Sequence, residues 1–309
     1  MANRVNLRRL LEPFPDISLI NKTMNTYKRF ARIPEEVKIS SKIWIFTLLM
    51  LTQFSICSAQ QKKSDFVIGD KISFESKVLN ERKTIVVIPP YNYKDRPDEK
   101  FPVVYVLDPG NNLFATFGIV NHYSDMLKIM PRMIIVGIVS NEREKDYLPT
   151  PSKEQPTGGG AGKFLQFINS ELVTLIDSTY PANSERCIIG HSAGGLFAIY
   201  ALENQPELFD SFICIDPSLW YDDKSCVKKM PDFLKNNKDI KKTIFISLSN
   251  EKEMGVFPFI DVLETYAPEG LKWDYIHYKN ETHNSLGFKS ICAGFEMIYR
   301  DWTTKDDAK

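Results

Sequence analysis

The chain has 309 residues, of which 43% are hydrophobic, with 39 Lys and Arg against 39 Asp and Glu. This balance, without a basic run interleaved with aromatic residues, argues against a nucleic acid partner. The five cysteines form no C-x-x-C pair and the four histidines form no cluster, so we expect no metal site.

The first 59 residues are predicted to be a leader that is removed. Residues 43–56 form an uncharged apolar run, with Lys38 and Lys42 just upstream and Cys-Ser-Ala just downstream. The run is shorter than the roughly 20 residues of a membrane-spanning helix, which favours a secretory signal peptide at about residues 38–59, cut after Ala59, over an uncleaved anchor. We therefore expect a periplasmic or secreted protein with no stable membrane span after cleavage.

Residues 60–309 are predicted to form a single domain. Removal of the leader takes away nine Lys or Arg and four Asp or Glu, which leaves 30 against 35. About 250 residues suffice for one α/β domain with a well-buried core. An oxidising compartment permits a disulfide among Cys187, Cys214, Cys226 and Cys292, but Cys187 and Cys214 lie in apolar runs where buried thiols are commoner.

Strand and helix signals alternate along this domain after an opening hairpin. Residues 71–79 and 84–90, separated by a turn-like segment, are predicted to be antiparallel strands. Apolar, β-branched runs predict further strands at residues 101–108, 132–140, 187–189, 211–216, 243–249 and 273–278. Helices are predicted at residues 117–130, 163–179, 196–202 and 291–302. This alternation indicates a mostly parallel, doubly wound sheet opened by an antiparallel hairpin.

Residues 190–194 have the sequence Gly-His-Ser-Ala-Gly, a G-x-S-x-G motif between a predicted strand and a predicted helix. In that context the motif is typical of a nucleophile. The serine stands at the tip of a tight turn, and the flanking glycines let neighbouring backbone approach without a Cβ clash. We predict Ser192 as the nucleophile; the alternative is a helix N-cap serine.

A serine hydroxyl needs a base to take its proton, and four histidines are available. His122 falls in a predicted helix, His277 in a predicted strand, and the side chain of His191 should point away from the serine. His283 lies between the last strand and the last helix, where hydrolases with this sheet carry the base. We predict His283 as the general base, the alternative being a surface histidine.

A carboxylate in a loop at the carboxyl end of a strand would orient the imidazole. Glu251 and Glu253 follow the strand predicted at residues 243–249, and Asp216 ends the strand predicted at residues 211–216. The former loop is the commoner acid position in this architecture. We therefore predict Glu251 as the acid, with Asp216 as the main alternative and Glu253 as a further one.

Two backbone amides are expected to bind the oxyanion that forms on the substrate carbonyl. One is that of Ala193, directly after the nucleophile. The second is predicted in the loop at residues 108–111, where Pro109 has no N–H, so the donor is Gly110 or Asn111.

Six further stretches stand out between about residue 67 and residue 301: VVYVLDPGN, IIVGIVSNEREKDYLPTP, GGGAGKFLQFINSEL, CIIGHSAGGLFAIYAL, LFDSFICIDPSLWYDD and ETHNSLGF. In these stretches, and in their order and approximate spacing, the chain resembles the esterase D-like family of esterases. That family includes siderophore, feruloyl and acetyl-xylan esterases and, more distantly, mycobacterial mycolyltransferases.

The resemblance implies an α/β-hydrolase fold without a large cap, and a serine esterase that works through an acyl-enzyme without a cofactor. It agrees with Ser192 and His283. The family's acid often follows the seventh strand, where Glu251 stands, although some siderophore esterases use a serine–histidine pair alone. Members often have S-P-S-L-W where this chain begins with Asp216, so Asp216 stays open as the acid.

Arg143 and Trp220 stand at positions that the resemblance assigns to substrate contacts; the alternative is a solvated charge beside core aromatics. The expected partner is a small-molecule or carbohydrate ester, either a siderophore ester or a carbohydrate acyl ester. An acyltransferase using the same serine and a non-catalytic binding protein on a hydrolase fold are the rival interpretations.

Overall fold

The computed structural model describes residues 65–302. The predicted leader and signal peptide at residues 1–59 lie outside the described residues, so they and the domain boundary at residue 60 stay predictions. From Phe66 onward the described chain forms one compact unit. None of its described helices is both long enough and apolar enough to span a bilayer.

Eight strands of the described chain form one sheet. They are β1 (Asp70–Ser76), β2 (Glu81–Ile88), β3 (Phe101–Leu107), β4 (Ile134–Val139), β5 (Ala182–His191), β6 (Ser211–Ile215), β7 (Lys242–Leu248) and β8 (Leu271–His277). Their order across the sheet is β1-β2-β4-β3-β5-β6-β7-β8. The pairs β1–β2 and β2–β4 are antiparallel, and the other pairs are parallel. The predicted mostly parallel sheet with an opening antiparallel hairpin is confirmed.

Helices connect the parallel strands, and a further helix follows the last of these strands. They are α1 (Pro109–Asn121), α2 (Arg143–Tyr147), α3 (Ala161–Phe167), α4 (Val173–Thr179), α5 (Ala193–Asn204), α6 (Tyr221–Asn236), α7 (Val256–Tyr266) and α8 (Gly287–Ile298). π-helical turns extend α1 at His122–Met126 and join α3 to α4 at Ile168–Leu172. The helix predicted at residues 117–130 begins eight residues earlier, because the fixed φ of Pro109 suits the first helical position.

Apolar side chains cover both faces of the sheet. Along β3, Val103 and Tyr105 belong to one core with helices α2 to α7, whereas Val104 and Val106 belong to the other with α1 and α8. The central strands are therefore apolar on both faces. The four cysteines among the described residues are free thiols, and Cys187 and Cys214 are buried as expected. At the carboxyl ends of the parallel strands the connecting loops meet along one edge of the sheet.

Candidate active site

Ser192 occupies the turn between β5 and α5. Its φ and ψ are 59° and −119°, a conformation that costs a non-glycine residue about 1–3 kcal/mol. The Ser192 amide donates to the carbonyl oxygen of Ile215 at 2.9 Å, and the Ser218 amide donates to that of Ser192 at 3.1 Å. The strand–turn–helix context in which G-x-S-x-G presents a serine hydroxyl is thus present.

Two glycines permit this turn. A Cβ at Gly190 would overlap the carbonyl group of Gly194, and a Cβ at Gly195 would lie 2.9 Å from Pro217 Cβ. A Cβ at Gly194 would meet Leu107 at 3.5 Å, an ordinary contact. The prediction that both flanking glycines relieve a backbone clash is therefore right for Gly190 and wrong for Gly194, because the close approach occurs at the next residue, Gly195.

Asp216 and His283 form a hydrogen-bonded pair. The Nδ1 atom of His283, in the loop between β8 and α8, is 2.7 Å from Asp216 Oδ2. Asp216 is fully buried, and its Oδ1 accepts a hydrogen bond from the Ser249 amide at 3.1 Å. Burial raises the pKa of Asp216, but the hydrogen bonds from His283 and Ser249 outweigh burial and leave this pKa below its ordinary value. Because the ionised carboxylate of Asp216 accepts a hydrogen bond from Nδ1–H, the other ring nitrogen of His283, Nε2, is the one that can accept a proton.

Glu251, the acid preferred from the sequence, is not hydrogen-bonded to His283. It is exposed, and its amide donates to Ser249 Oγ at 3.1 Å. Glu253 is exposed as well. The geometry favours the alternative acid, Asp216, which leaves β6 with a φ of 40°. The chain turns sharply at this residue, so its carboxylate faces the loop of His283 and not a face of the sheet.

Ser192 and His283 line the same open cleft of about 580 Å³, together with Asp108, Gly110 and Arg143. Among the described side chains, the hydroxyl of Ser218 is the hydrogen-bond partner of Ser192 Oγ, at 3.2 Å. A hydrogen bond between a catalytic serine and its base is often long without substrate and shortens in the complex. Both predicted groups therefore border the same cleft.

Two helix N-termini border the cleft. Ala193 is the first residue of α5, and Gly110 and Asn111 are the second and third residues of α1. Amides in the first turn of a helix have no acceptor within that helix and carry partial positive charge. A Cβ at Gly194 would lie 3.6 Å from Asp108 Oδ2, which places the start of α1 against the start of α5. The predicted donors therefore lie where helix ends favour an anion.

His191 has a contact with His283 that its position in the motif does not predict. The centroids of its ring and that of His283 are 4.4 Å apart, and its Nε2 is 2.8 Å from the carbonyl oxygen of His283. Burial, with a further contribution from the nearby His283, lowers the pKa of His191 to about 4. The ring is therefore neutral near pH 7 and donates Nε2–H to that carbonyl.

The two predicted substrate contacts have different surroundings. Arg143 lines the cleft, where its guanidinium donates hydrogen bonds to Asp108 and to the carbonyl oxygen of His191. Trp220 is 50% exposed and packs edge-to-face on Tyr221, with the ring centroids 5.8 Å apart. Trp220 lies outside the set of described residues that line the cleft, although it follows Ser218 by only two positions.

Comparison with known proteins relates this chain to esterases. The model of the family described as "Putative esterase" matches residues 76–247. Ferri-bacillibactin esterase BesA of Bacillus subtilis is 26% identical over 241 residues, which cover 67% of this chain and 82% of that protein. A siderophore triacetylfusarinine C esterase of Aspergillus fumigatus is 27% identical over 255 residues, which cover 69% and 87%.

Among solved structures, an IroE-like serine hydrolase from Shewanella oneidensis superposes with a TM-score of 0.71 at 29% identity. The superposition covers 77% of this chain and 82% of that chain. The resemblance to esterases of siderophore type and the predicted α/β-hydrolase fold are confirmed.

Proposed function

The chain belongs to this esterase family, and from that premise we propose that it hydrolyses carboxylic esters through an acyl-enzyme on Ser192. One observation carries the proposal: a fully buried carboxylate, that of Asp216, lies 2.7 Å from Nδ1 of His283 in the cleft that also contains Ser192. The strained backbone of Ser192 supports it, because such strain persists where the surrounding structure requires it and is frequent at active sites.

In the proposed mechanism Ser192 Oγ attacks the carbonyl carbon of the ester while His283 Nε2 takes the hydroxyl proton. Asp216 accepts the hydrogen bond from Nδ1–H and stabilises the imidazolium. The amides at the starts of α1 and α5 bind the oxyanion. The proton then passes to the leaving oxygen, the alcohol departs, and a water molecule deprotonated by His283 attacks the acyl carbon. Hydrolysis of the acyl-enzyme releases the carboxylic acid, and the proton held by His283 returns to Ser192 Oγ. No cofactor takes part in this mechanism.

The test of the nucleophile is covalent labelling with a fluorophosphonate. The wild-type protein should be labelled at Ser192, and Ser192→Ala should lose labelling and nearly all hydrolysis of 4-nitrophenyl acetate. Ser218→Ala is the matched control, because its hydroxyl is 3.2 Å from Ser192 Oγ and its variant should still be labelled. Peptide mass spectrometry that locates the label on Ser218, or finds none on the wild type, would contradict the mechanism.

For the substrate we propose a siderophore ester. Of the relatives named above, one is a siderophore triacetylfusarinine C esterase and another a ferri-bacillibactin esterase by name. Arg143, one-third exposed in the cleft, offers positive charge to an anionic ligand, and the exposed indole of Trp220 offers a ring face near the cleft. Hydrolysis rates on ferri-bacillibactin and triacetylfusarinine C should exceed those on a feruloyl ester and acetylated xylan by about 100-fold or more in kcat/KM, since a fitted site discriminates by several kcal/mol. The reverse order would favour a carbohydrate acyl ester.

We further propose that the protein is exported with cleavage after Ala59. The apolar run at residues 43–56 and the small residues that follow it support this proposal. N-terminal sequencing of the protein recovered from the periplasm or medium should begin at Gln60. Recovery of the full-length chain from the membrane fraction would favour an uncleaved anchor.

A further inference from the structure

Arg143 hydrogen-bonds to both backbone segments that lead into the proposed oxyanion site. Its Nε donates to Asp108 Oδ2 at 2.9 Å, and its Nη2 donates to the carbonyl oxygen of His191 at 3.0 Å. Asp108 immediately precedes α1, and His191 immediately precedes Ser192. One planar guanidinium, with donors in a fixed fork geometry, thus connects the ends of β3 and β5.

The direct pairing of β3 with β5 does not extend to these two segments, although His191 is paired with Ile215 in β6. The pairing of β3 with β5 ends at Val106 and Ile189, before either segment begins. Asp108 has a φ of 51°, so the chain there has left the extended conformation of the strand. Beyond the paired residues, Arg143 joins one segment to the other. A displacement of either segment by about 1 Å moves an oxyanion donor out of hydrogen-bonding position.

Arg143 is itself supported by buried neighbours. Asp146, in the same helix α2, accepts hydrogen bonds from Lys83 Nζ at 2.6 Å and from Ser140 Oγ at 2.7 Å. The Arg143 guanidinium also lies 5.6 Å from the ring centroid of Tyr147. Buried hydrogen bonds and ring contacts restrict side-chain motion. These contacts hold helix α2 in place, and the helix in turn fixes the position of the Arg143 guanidinium.

We propose that Arg143 is a positioning residue for the oxyanion site: by bridging Asp108 and His191 it sets the distance between the amides at the start of α1 and the amide at the start of α5. The inference rests on the proposed serine mechanism. It differs from attraction of an anionic substrate, because it makes Arg143 important for an ester that carries no charge.

The test compares a neutral ester, 4-nitrophenyl acetate, with an anionic one, 4-nitrophenyl hemisuccinate. In Arg143→Met and Arg143→Lys, kcat should fall about 10- to 100-fold on both esters, because neither side chain reproduces the planar fork of Nε and Nη2 that joins the two acceptors. KM for the neutral ester should change less than about threefold. Lys145→Met is the matched control: it removes a cation from α2 that pairs with Glu81 at 2.7 Å, and kcat should be unchanged. Retention of kcat on the neutral ester by either Arg143 variant would overturn the proposal.

The other end of the bridge gives a second test. Asp108→Gly removes the acceptor while tolerating the positive φ, and Asp108→Asn keeps an acceptor and also tolerates it. The glycine variant should lose kcat as Arg143→Met does, and the asparagine variant should retain about tenfold more activity than the glycine variant. The double variant Asp108→Gly with Arg143→Met should lose no more than the larger single loss, because both remove one bridge. Additive losses would overturn the proposal.

Two controls separate failure of this inference from failure of the proposed function. A wild-type protein that hydrolyses neither ester and is not labelled by fluorophosphonate would refute the serine mechanism and the bridge with it. An active wild type whose Arg143 variants keep kcat would refute the bridge alone. Thermal unfolding midpoints establish that each variant is folded; if Arg143→Met is unfolded, Arg143→Lys and Asp108→Gly decide the question.

Discussion

At the scale of single residues, the proposed site depends on one buried carboxylate. Asp216→Asn keeps the shape of the side chain but loses the charge that stabilises the His283 imidazolium, so kcat should fall by about 10³- to 10⁴-fold. Glu251→Gln is the matched control in the neighbouring loop, and its kcat should stay within about threefold of wild type. Steady-state hydrolysis of 4-nitrophenyl acetate measures both. A large loss in the Glu251 variant with none in the Asp216 variant would restore the acid preferred from the sequence.

The sequence alone favours Glu251 as the acid because it does not reveal the backbone conformation at Asp216. Asp216 and Glu251 both follow strands whose carboxyl ends are neighbours in the sheet. Spacing and residue type cannot show that Asp216 has a φ of 40° and turns its carboxylate toward His283. The contact of His191 with His283, like that of Asp216 with His283, joins residues that are far apart in the sequence, so spacing cannot show it. By contrast, the location of Ser192 and His283 at one cleft is predictable, because chain order and the flanking strand and helix limit the choice.

At the scale of elements, the turn between β5 and α5 is specified by its glycines. In Gly190→Ala the new Cβ overlaps the backbone of Gly194, so the turn must deform. We expect a loss of about 3 kcal/mol or more in the free energy of unfolding and at least 100-fold in activity, or an insoluble protein. Gly194→Ala, whose Cβ meets only side chains at 3.5 Å or beyond, should keep the wild-type midpoint within a few degrees. Equal effects of the two substitutions on the unfolding midpoint would contradict this account.

The strands can be predicted from the local residue pattern as well, whereas some helices cannot. Runs such as residues 101–107 and 134–139 are apolar because both faces of the sheet are covered. Helices α6 and α7 have no counterpart among the predicted helices. Helix α6 is dominated by charged residues, contains Pro231, and has three left-handed residues at positions 222–224. Helix α6 packs against α5 and α7, and this tertiary packing stabilises it more than helix propensity does.

At the scale of the whole molecule, the pH dependence of stability follows from groups buried with the core. Glu203, in α5, has an Oε1 atom that is buried without a hydrogen-bond partner in the described part of the chain. Burial raises its pKa to about 8, although the Lys229 ammonium group acts in the opposite direction. The helix predicted at residues 196–202 ends just before Glu203, so the sequence does not show that this carboxyl is buried.

The sign of this effect on stability is determined by which state binds the proton. Between the ordinary value of 4.5 and about 8, the folded protein keeps Glu203 protonated while the unfolded chain releases the proton, so the free energy of unfolding falls as the pH rises. Glu203→Gln removes this slope and should be more stable than wild type at pH 8 by about 2–4 kcal/mol, with a much smaller difference at pH 4.5. Denaturant unfolding at the two pH values measures it. The exposed Glu207→Gln should stay within about 0.5 kcal/mol of wild type at both. Identical pH slopes for wild type and Glu203→Gln would show that this carboxyl is ionised in the folded protein.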